Sequence, residues 1–470
     1  MTLAGEVRSP VNTRLPNIIR NLPVLFFLGD ICGLFICLAI GFWLRFHQPL
    51  NWLDPLPYGF VGIVLAGFYL ANAYNPDRQI AGLRTPARII VCNLAIAFLI
   101  SALIYLSGIS PENPVSWRSV LLPSLGMFTI WAVVLRLVAV KWVRSQSQKS
   151  RWLVLGAGDN ATKFLHKLLV LNPLGKLTVL AETNQETIDL PDTNLSYLGN
   201  LSDLSAWSQE SWSAIIVATQ VEFSETQAQQ LMQIRLRGIP IYRLPDAYET
   251  FWFKLPSSLL QDKWLAFSEG FNLIPGDFSM KLKRVIDIIL ILFLLVLVAP
   301  LLLLVALLIR LDSPGPIFYS QLRSGFYGKP FRVYKFRSMY QDAEKRGAQW
   351  ASQRDPRITR VGYWLRLLRI DELPQIWNVL RGEMSLIGPR PERPEFDVKL
   401  KEAIPYYEVR YLVKPGITGW AQVMYPYGAS IEDAYEKLSY DLYYIKNYSL
   451  WLDLAIAFKT IRVVLLGKGR

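Results

Sequence analysis

Long apolar runs separated by short basic stretches set the pattern of this chain. Four lie in the first 145 residues, near Pro23–Leu44, Pro57–Ala73, Ile89–Ile109 and Val120–Val140. Each approaches the roughly 20 residues needed to cross a bilayer as a helix. The first is too long for a signal-peptide core and lacks a small-residue cleavage pattern. Arg8, Arg14, Arg20, Arg78, Arg84, Arg88, Lys141, Arg144 and Lys149 mark one side, against Arg45 and Arg118 on the other. The positive-inside rule then predicts four spans over 21–145, after a cytoplasmic tail 1–20, with both ends cytoplasmic.

Over 146–255 the period changes. Trp152–Leu155, Leu177–Ala181 and Ala214–Ala218 read as short buried strands, with a polar helix between Ser224 and Arg237. Alternation of this kind predicts a small parallel α/β sheet. Gly156-Ala-Gly-Asp-Asn-Ala161 has the spacing of a pyrophosphate-binding turn, and Glu182 stands where a ribose-binding acid would. A single match of that kind is weak, and a structural or regulatory domain is the stronger expectation. Residues 256–279 read as an irregular linker.

A fifth run, Ile288–Ile309, follows Lys281, Lys283 and Arg284, is interrupted by Pro300 and ends at Arg310. It is long enough to span. Its halves would rise only about 18 Å and about 14 Å, each short of a ~30 Å hydrocarbon core. A helix over 285–310 that enters, turns at Pro300 and returns keeps both basic ends on one side. In Arg357–Arg369, Arg360, Arg366 and Arg369 interleave with Trp364, Leu365 and Leu368, which suits either a helix in the headgroup layer or an amphipathic core helix. Trp451–Leu466 reads as a further apolar helix packed on the domain or the membrane interface.

With 470 residues, 52% of them hydrophobic and 19% charged, the chain is too apolar for an ordinary soluble protein. Its net charge of +13 sits beside the apolar runs, which fits an anionic membrane surface rather than nucleic acid. Cys32, Cys37 and Cys92 lie within apolar stretches, excluding a zinc cluster and arguing against a disulfide framework. His47 and His166 are the only histidines. Histidine-based catalysis in the C-terminal third is therefore excluded.

The candidate chemistry lies in Arg369–Glu392. Asp371 and Glu372 are adjacent, and Pro374 marks the first turn of a short helix expected to run through Leu380. Neighbours on a helix point in different directions, so two such acids would take different tasks. Asp371 as a plain N-cap is the simpler alternative. Gly388-Pro-Arg-Pro391 is a rigid turn that aims a guanidinium, the side chain best suited to phosphate oxygens. Upstream stand Asp312-Ser-Pro-Gly-Pro316, Gln321-Leu-Arg323 and Lys335-Phe-Arg-Ser-Met339; downstream stands Lys414-Pro-Gly-Ile-Thr-Gly-Trp-Ala-Gln422.

These blocks, in this order, resemble the monotopic phosphoglycosyl transferases, bacterial polyprenyl-phosphate hexose-1-phosphate transferases. The resemblance is dense over 280–470 and looser towards the N-terminus of the large members. It implies a membrane α plus α/β architecture: a four-helix transmembrane domain, a Rossmann-like middle domain and a catalytic domain carrying the re-entrant helix. It implies transfer of hexose-1-phosphate from a UDP-sugar, galactose or glucose, to undecaprenyl phosphate, releasing UMP and initiating exopolysaccharide, O-antigen or capsule synthesis. Asp371 would be the nucleophile, carrying the sugar phosphate covalently, and Glu372 would help bind Mg²⁺. An aspartate needs no base to ionise at neutral pH, in keeping with the lack of histidine. Lys335, Arg337, Arg323 and Arg390 are the candidates for gripping phosphate, with Gln321 and Thr418 as weaker lining residues. The setting implied is the bacterial inner membrane with the catalytic domain on its cytoplasmic face. Large relatives also imply a homodimer, on which the residues themselves are silent. A membrane-anchored NAD-dependent nucleotide-sugar enzyme acting through Gly156–Ala161 and a non-catalytic polysaccharide scaffold are the competing readings. The first lacks a Tyr-x-x-x-Lys pair in that domain, and the second leaves the charged motifs of 312–422 without a purpose.

Overall fold

In the computed structural model, residues 15–74, 84–107, 118–171, 175–182, 195–219, 221–271, 278–341, 343, 355–425, 428 and 430–465 are described. Arg8, Arg14 and Arg78 of the orientation argument lie outside them. The chain divides into two units, Met1–Ala247 and Tyr248–Arg470.

The first unit opens with helices α1 (Leu15–Phe46), α2 (Leu56–Leu70), α3 (Arg84–Ser107) and α4 (Arg118–Gln148). Leu34, Leu38, Val64, Phe68, Ile96 and Phe128 form part of their common core. Their outer faces are apolar too, with Leu25, Val91, Phe98, Ile130 and Val138 exposed. Helices apolar on all sides need an apolar surrounding, and this is a membrane protein. Helices α1, α3 and α4 are long and apolar enough to cross. The expected second span is shorter: α2 has 15 residues, bounded by Pro55 and by Asn72 in left-handed conformation at φ 62°. At 1.5 Å per residue it rises only about 22 Å.

One feature of the bundle escaped the hydropathy pattern. Asp30 on α1 and Arg136 on α4 form a two-pronged ion pair at 2.9 and 2.7 Å, both side chains almost fully buried. The guanidinium also lies over the rings of Phe26 and Phe68.

The rest of this unit is a five-stranded parallel sheet of order β3-β2-β1-β4-β5. Its strands are β1 (Arg151–Leu155), β2 (Lys176–Ala181), β3 (Leu195–Asn200), β4 (Ala214–Val217) and β5 (Ile241–Arg243). Helix α5 (Asp159–Leu171) follows β1, and α6 (Glu225–Leu236), held by a Ser224–Gln227 capping box, follows β4. Gly156 has φ 101°, and a Cβ there would run into the backbone of Thr219. Glu182 does reach the crevice above the strand ends, but its carboxylate is engaged by the Thr219 hydroxyl. The dinucleotide expectation gains no support from that arrangement.

The division between units falls inside α7 (Leu244–Trp252), and the stretch expected as an irregular linker sends a few side chains into the core of the second unit. Leu255, Leu260 and Trp264, the last on α8 (Asp262–Phe267), are buried against Leu400, Tyr407 and Leu438. Lys254 pairs with Glu436 at 2.6 Å, and the Leu255 N–H donates to the Ser439 carbonyl. The apolar anchors are too widely spaced to show as a periodic pattern.

Helix α9 (Phe278–Asp312) is 35 residues long with Pro300 inside it. Its middle exposes Ile289, Phe293, Val296, Leu297, Leu303 and Leu304. Both of its ends are tied to the same unit. At the start, Lys283 pairs with Asp453 at 2.6 Å, Ser385 donates to Asp287 at 2.7 Å, and Arg284 donates to the Val379 and Leu380 carbonyls. At the end, Asp312 accepts from the Val361 N–H at 3.2 Å. Two small sheets complete the unit: the antiparallel hairpin β6 (Phe318–Ser324) with β7 (Pro330–Phe336), and the parallel pair β8 (Ser385–Ile387) with β9 (Gly416–Thr418). The remaining helices are α10 (Arg360–Leu367), α11 (Ile376–Arg381), α12 (Pro394–Ala403), α13 (Trp420–Met424), α14 (Ile431–Lys446) and α15 (Leu450–Leu465).

The Asp30–Arg136 pair makes a prediction about the bundle. Removing one partner strands a buried charge, so Asp30→Leu should destabilise by about 3 kcal/mol or more, while Asp30→Leu with Arg136→Leu should recover most of that loss. Thermal unfolding in detergent measures both. A double variant as weak as the single one would mean the pair itself is the source of stability.

Candidate functional site

Asp371 and Glu372 lie on a 3₁₀ turn, Ile370–Gln375, which leads into α11. The expected helix start is therefore a tighter turn, and Asp371 is its second residue rather than its cap. Arg369 takes the cap position in left-handed conformation at φ 56° with no side-chain capping bond. A non-glycine residue held there stores strain, and such strain gathers at functional sites.

Both acids are buried, Asp371 at 9% and Glu372 at 7% relative exposure, yet their surroundings differ. Arg390 grips Glu372 with both arms, at 2.5 Å to Oε1 and 3.1 Å to Oε2. Lys335, arriving on β7, adds 2.7 Å to Oε1. No hydrogen bond or ion pair among the described residues engages the Asp371 carboxylate.

The electrostatics follow from that asymmetry. Burial first, and then the Glu372 charge, push Asp371 up to about 6, against the pull of Lys335, Arg366 and Arg390. Burial also opposes charge on Glu372, but Arg390 and Lys335 outweigh it and hold that carboxyl well below the usual range. Pairs pushed apart in this way mark carboxylates with separate roles. Asp371 is anionic at neutral pH, unshielded by a partner and more basic than an ordinary carboxylate.

Two further elements fix the cations. Asn378, fully buried on α11, accepts from the Tyr334 N–H at 3.1 Å and donates to the Arg332 carbonyl at 2.6 Å and to Glu383 at 2.8 Å. Its amide thus pairs with β7 as another strand would, and sets Lys335 against the carboxylate turn. On the other side Arg323 donates to the Pro391 carbonyl at 3.2 Å and to Gln321 at 2.7 Å.

The expected site residues therefore separate into three groups. Lys335 and Arg390 meet Glu372 directly. Arg323 and Gln321 stand one layer behind, steadying the turn that carries Arg390. Arg337 and Thr418 are elsewhere. Arg337 is buried and donates to the Ser313 and Pro314 carbonyls at 2.7 Å each, and to the Ser313 hydroxyl. Carbonyls released at the end of a long helix need donors, and a five-donor guanidinium supplies them. The Thr418 hydroxyl pairs at 2.7 Å with Thr460 on α15, fastening two elements together. The motifs do not single out Asn378 or Arg366 as site residues: Asn378 stands inside the motif without a charge, and Arg366 lies on a segment equally suited to a headgroup helix or an amphipathic core helix.

A group of three or more His, Cys, Asp or Glu able to hold a metal is absent among the described residues. Mg²⁺ asks less, since it keeps several waters and takes other oxygens from phosphate. Glu372 Oε2 accepts a single bond and has a lone pair to spare, and Asp371 is unengaged beside it. The residues present fit such an ion.

Residues 278–467 match the family model described as bacterial sugar transferase. The chain is 46% identical over 239 residues to a UDP-N-acetylgalactosamine-undecaprenyl-phosphate N-acetylgalactosaminephosphotransferase of Aeromonas hydrophila, covering 51% of this chain and 55% of that one. It is 43% identical over 182 residues to a UDP-glucose:undecaprenyl-phosphate glucose-1-phosphate transferase of Escherichia coli, covering 38% and 39%. It is 43% identical over 198 residues to the exopolysaccharide production protein PSS of Rhizobium leguminosarum, covering 41% of this chain and 99% of that protein. The matched region is thus about half, or less, of the first two relatives and nearly all of the third.

Asn378→Ala would leave the Tyr334 N–H and the Arg332 carbonyl, both part-buried, without this partner. The expected cost is about 2–4 kcal/mol, read as a lowered unfolding midpoint in detergent. An unchanged midpoint would show that β7 is held by other contacts.

Proposed function

The chain belongs to the bacterial sugar transferase family, and we propose that it transfers a hexose-1-phosphate from a UDP-sugar to undecaprenyl phosphate, releasing UMP. The division of labour between Asp371 and Glu372 carries this reading. An Asp371 carboxylate oxygen attacks the β-phosphorus of the UDP-sugar. The bond from that phosphorus to the bridging oxygen breaks, and UMP leaves with the electron pair. The sugar phosphate then rests on Asp371 as an acyl phosphate. A phosphate oxygen of the lipid attacks the same phosphorus, the bond to Asp371 breaks, and the carboxylate is regenerated. Both substrates are anionic, and Lys335 and Arg390 supply fixed positive charge where the diphosphate must lie. Glu372 holds those two cations before substrate arrives, and through Oε2 would help hold Mg²⁺. When bound, Mg²⁺ offsets the diphosphate charge and orients it.

Glucose and galactose were the sugars expected. Glucose and N-acetylgalactosamine are the sugars in the names of the two undecaprenyl-phosphate transferases compared above, and a panel of UDP-sugars decides among them. The product would initiate a surface polysaccharide. Helix α9 is read as re-entrant: both of its ends are bound to one unit, while the segment around Pro300 presents leucines outward. On this reading Asp371 faces the cytoplasm from the inner membrane, the side on which nucleotide sugars are made. Near-complete coverage of a short relative supports confining the chemistry to the second unit, with the N-terminal helices and sheet serving stability or assembly.

With UDP-sugar alone, the protein should release up to one equivalent of UMP and retain a sugar phosphate that mass spectrometry maps to Asp371. Asp371→Asn should abolish both, and Glu372→Gln should lower turnover and alter its Mg²⁺ dependence. Active enzyme that releases UMP only after lipid is added, with no adduct, would sink the covalent route.

The first step also has a pH signature. A group titrating at about 6 is roughly nine-tenths ionised at pH 7 and about one-tenth at pH 5. The protonated acid is not nucleophilic, so the rate of the UMP burst should fall as pH drops through 6. A burst rate that stays flat down to pH 5 would show that Asp371 does not attack from a state titrating near 6.

A further inference from the structure

Three successive carbonyls of the turn that carries Arg390 are each held by a donor. Pro389 accepts from the Gly416 N–H at 3.0 Å, Arg390 from Arg410 at 2.7 Å, and Pro391 from Arg323 at 3.2 Å. The prolines fix the internal shape of this turn, but not its place relative to Glu372. Arg410, on the 3₁₀ turn Tyr407–Leu412, has no motif of its own and is buried at 9% relative exposure. It also donates to Asp441 of α14 at 3.1 Å and to the Tyr407 hydroxyl, which in turn donates to Asp397 of α12. A buried guanidinium–carboxylate pair is a poor choice for stability alone, since an apolar pair of similar volume would serve as well. This one ends on the main chain of the residue that grips Glu372.

We propose that Arg410, anchored by Asp441 and Tyr407, is a positioning residue that immobilises the backbone of Arg390. Only the Arg390 side chain is then free to move, leaving Glu372 to take the oxygens of the incoming diphosphate. The proposal rests on the transferase reading above and assigns the origin of its geometric tolerance. A bidentate fork loses most of its grip when its backbone drifts, whereas a single ammonium on a flexible stem does not. That difference separates positioning from general support of the fold.

The test is a double-mutant cycle on the full chain in detergent, read as kcat and KM for UDP-sugar in UMP release. Arg410→Lys keeps the charge but cannot hold the Arg390 carbonyl and Asp441 in one plane. It should lower kcat/KM about tenfold in the unaltered chain and less than twofold in an Arg390→Lys background. Asp441→Asn, of nearly unchanged shape, should behave in the same way. Equal losses in both backgrounds, or loss of folded protein in both variants, would overturn the proposal and make the network ordinary core. Absence of UMP release by the unaltered chain with every UDP-sugar would strike the transferase reading instead.

Discussion

Two adjacent carboxylates cannot both stay charged in a buried place unless positive charge is brought to them, and the second unit is arranged to bring it to one. Glu372 receives Lys335 from a strand and Arg390 from a proline-framed turn. Asp371, next to it, receives neither. The neutralised acid acts as a template for cations, while the other keeps an available lone pair in a poorly hydrated setting. Asn378 on one flank and Arg323 and Arg410 on the other are explained by the same demand. Each spends a buried polar group on holding the backbone that carries a cation. The cost of leaving such groups unmatched is high, so the site is specified by several contacts rather than by the two acids alone.

The membrane enters this chemistry through α9. Its polar contacts lie at its two ends, and its exposed leucines lie between them. Helix α10 continues the theme: Leu365 packs with Val305 and Ile309 of α9, while Trp364 and Tyr363 remain exposed. The carboxylate turn follows α10 within a few residues. In the proposed reaction a water-soluble nucleotide sugar and a lipid phosphate meet at one phosphorus, and a carboxylate turn joined to such a surface would shorten the path for the lipid.

Much of this was legible in the residues. Apolar runs, basic flanks and the cluster of charged motifs point to a membrane enzyme of phosphate chemistry, and two of the candidate cations, Lys335 and Arg390, stand at Glu372. The exceptions have physical reasons. Arg337 has the same composition and motif as Lys335, but the strand ends between them and the helix-end carbonyls claim it. Strand β3, with Ser, Gly and Asn among its six residues, and β5, with three residues, carry too little periodic signal to be seen. Residues 256–271 lack a pattern because a few large side chains, Trp264 above all, do the anchoring. Arg410 had no local signal because its meaning depends on partners distant in the chain.

The ion pair between α1 and α4 has a consequence for how the protein is made. The two charges are separated by 106 positions, so the first helix is synthesised well before its partner exists. A lone carboxylate or guanidinium in the bilayer centre resists insertion by about 3 kcal/mol. The apolar residues of the first helix must outweigh that cost alone until the fourth emerges. Pairing then lowers the burial cost of both helices at once, so the last step of bundle assembly is the one that removes an unmatched charge from lipid.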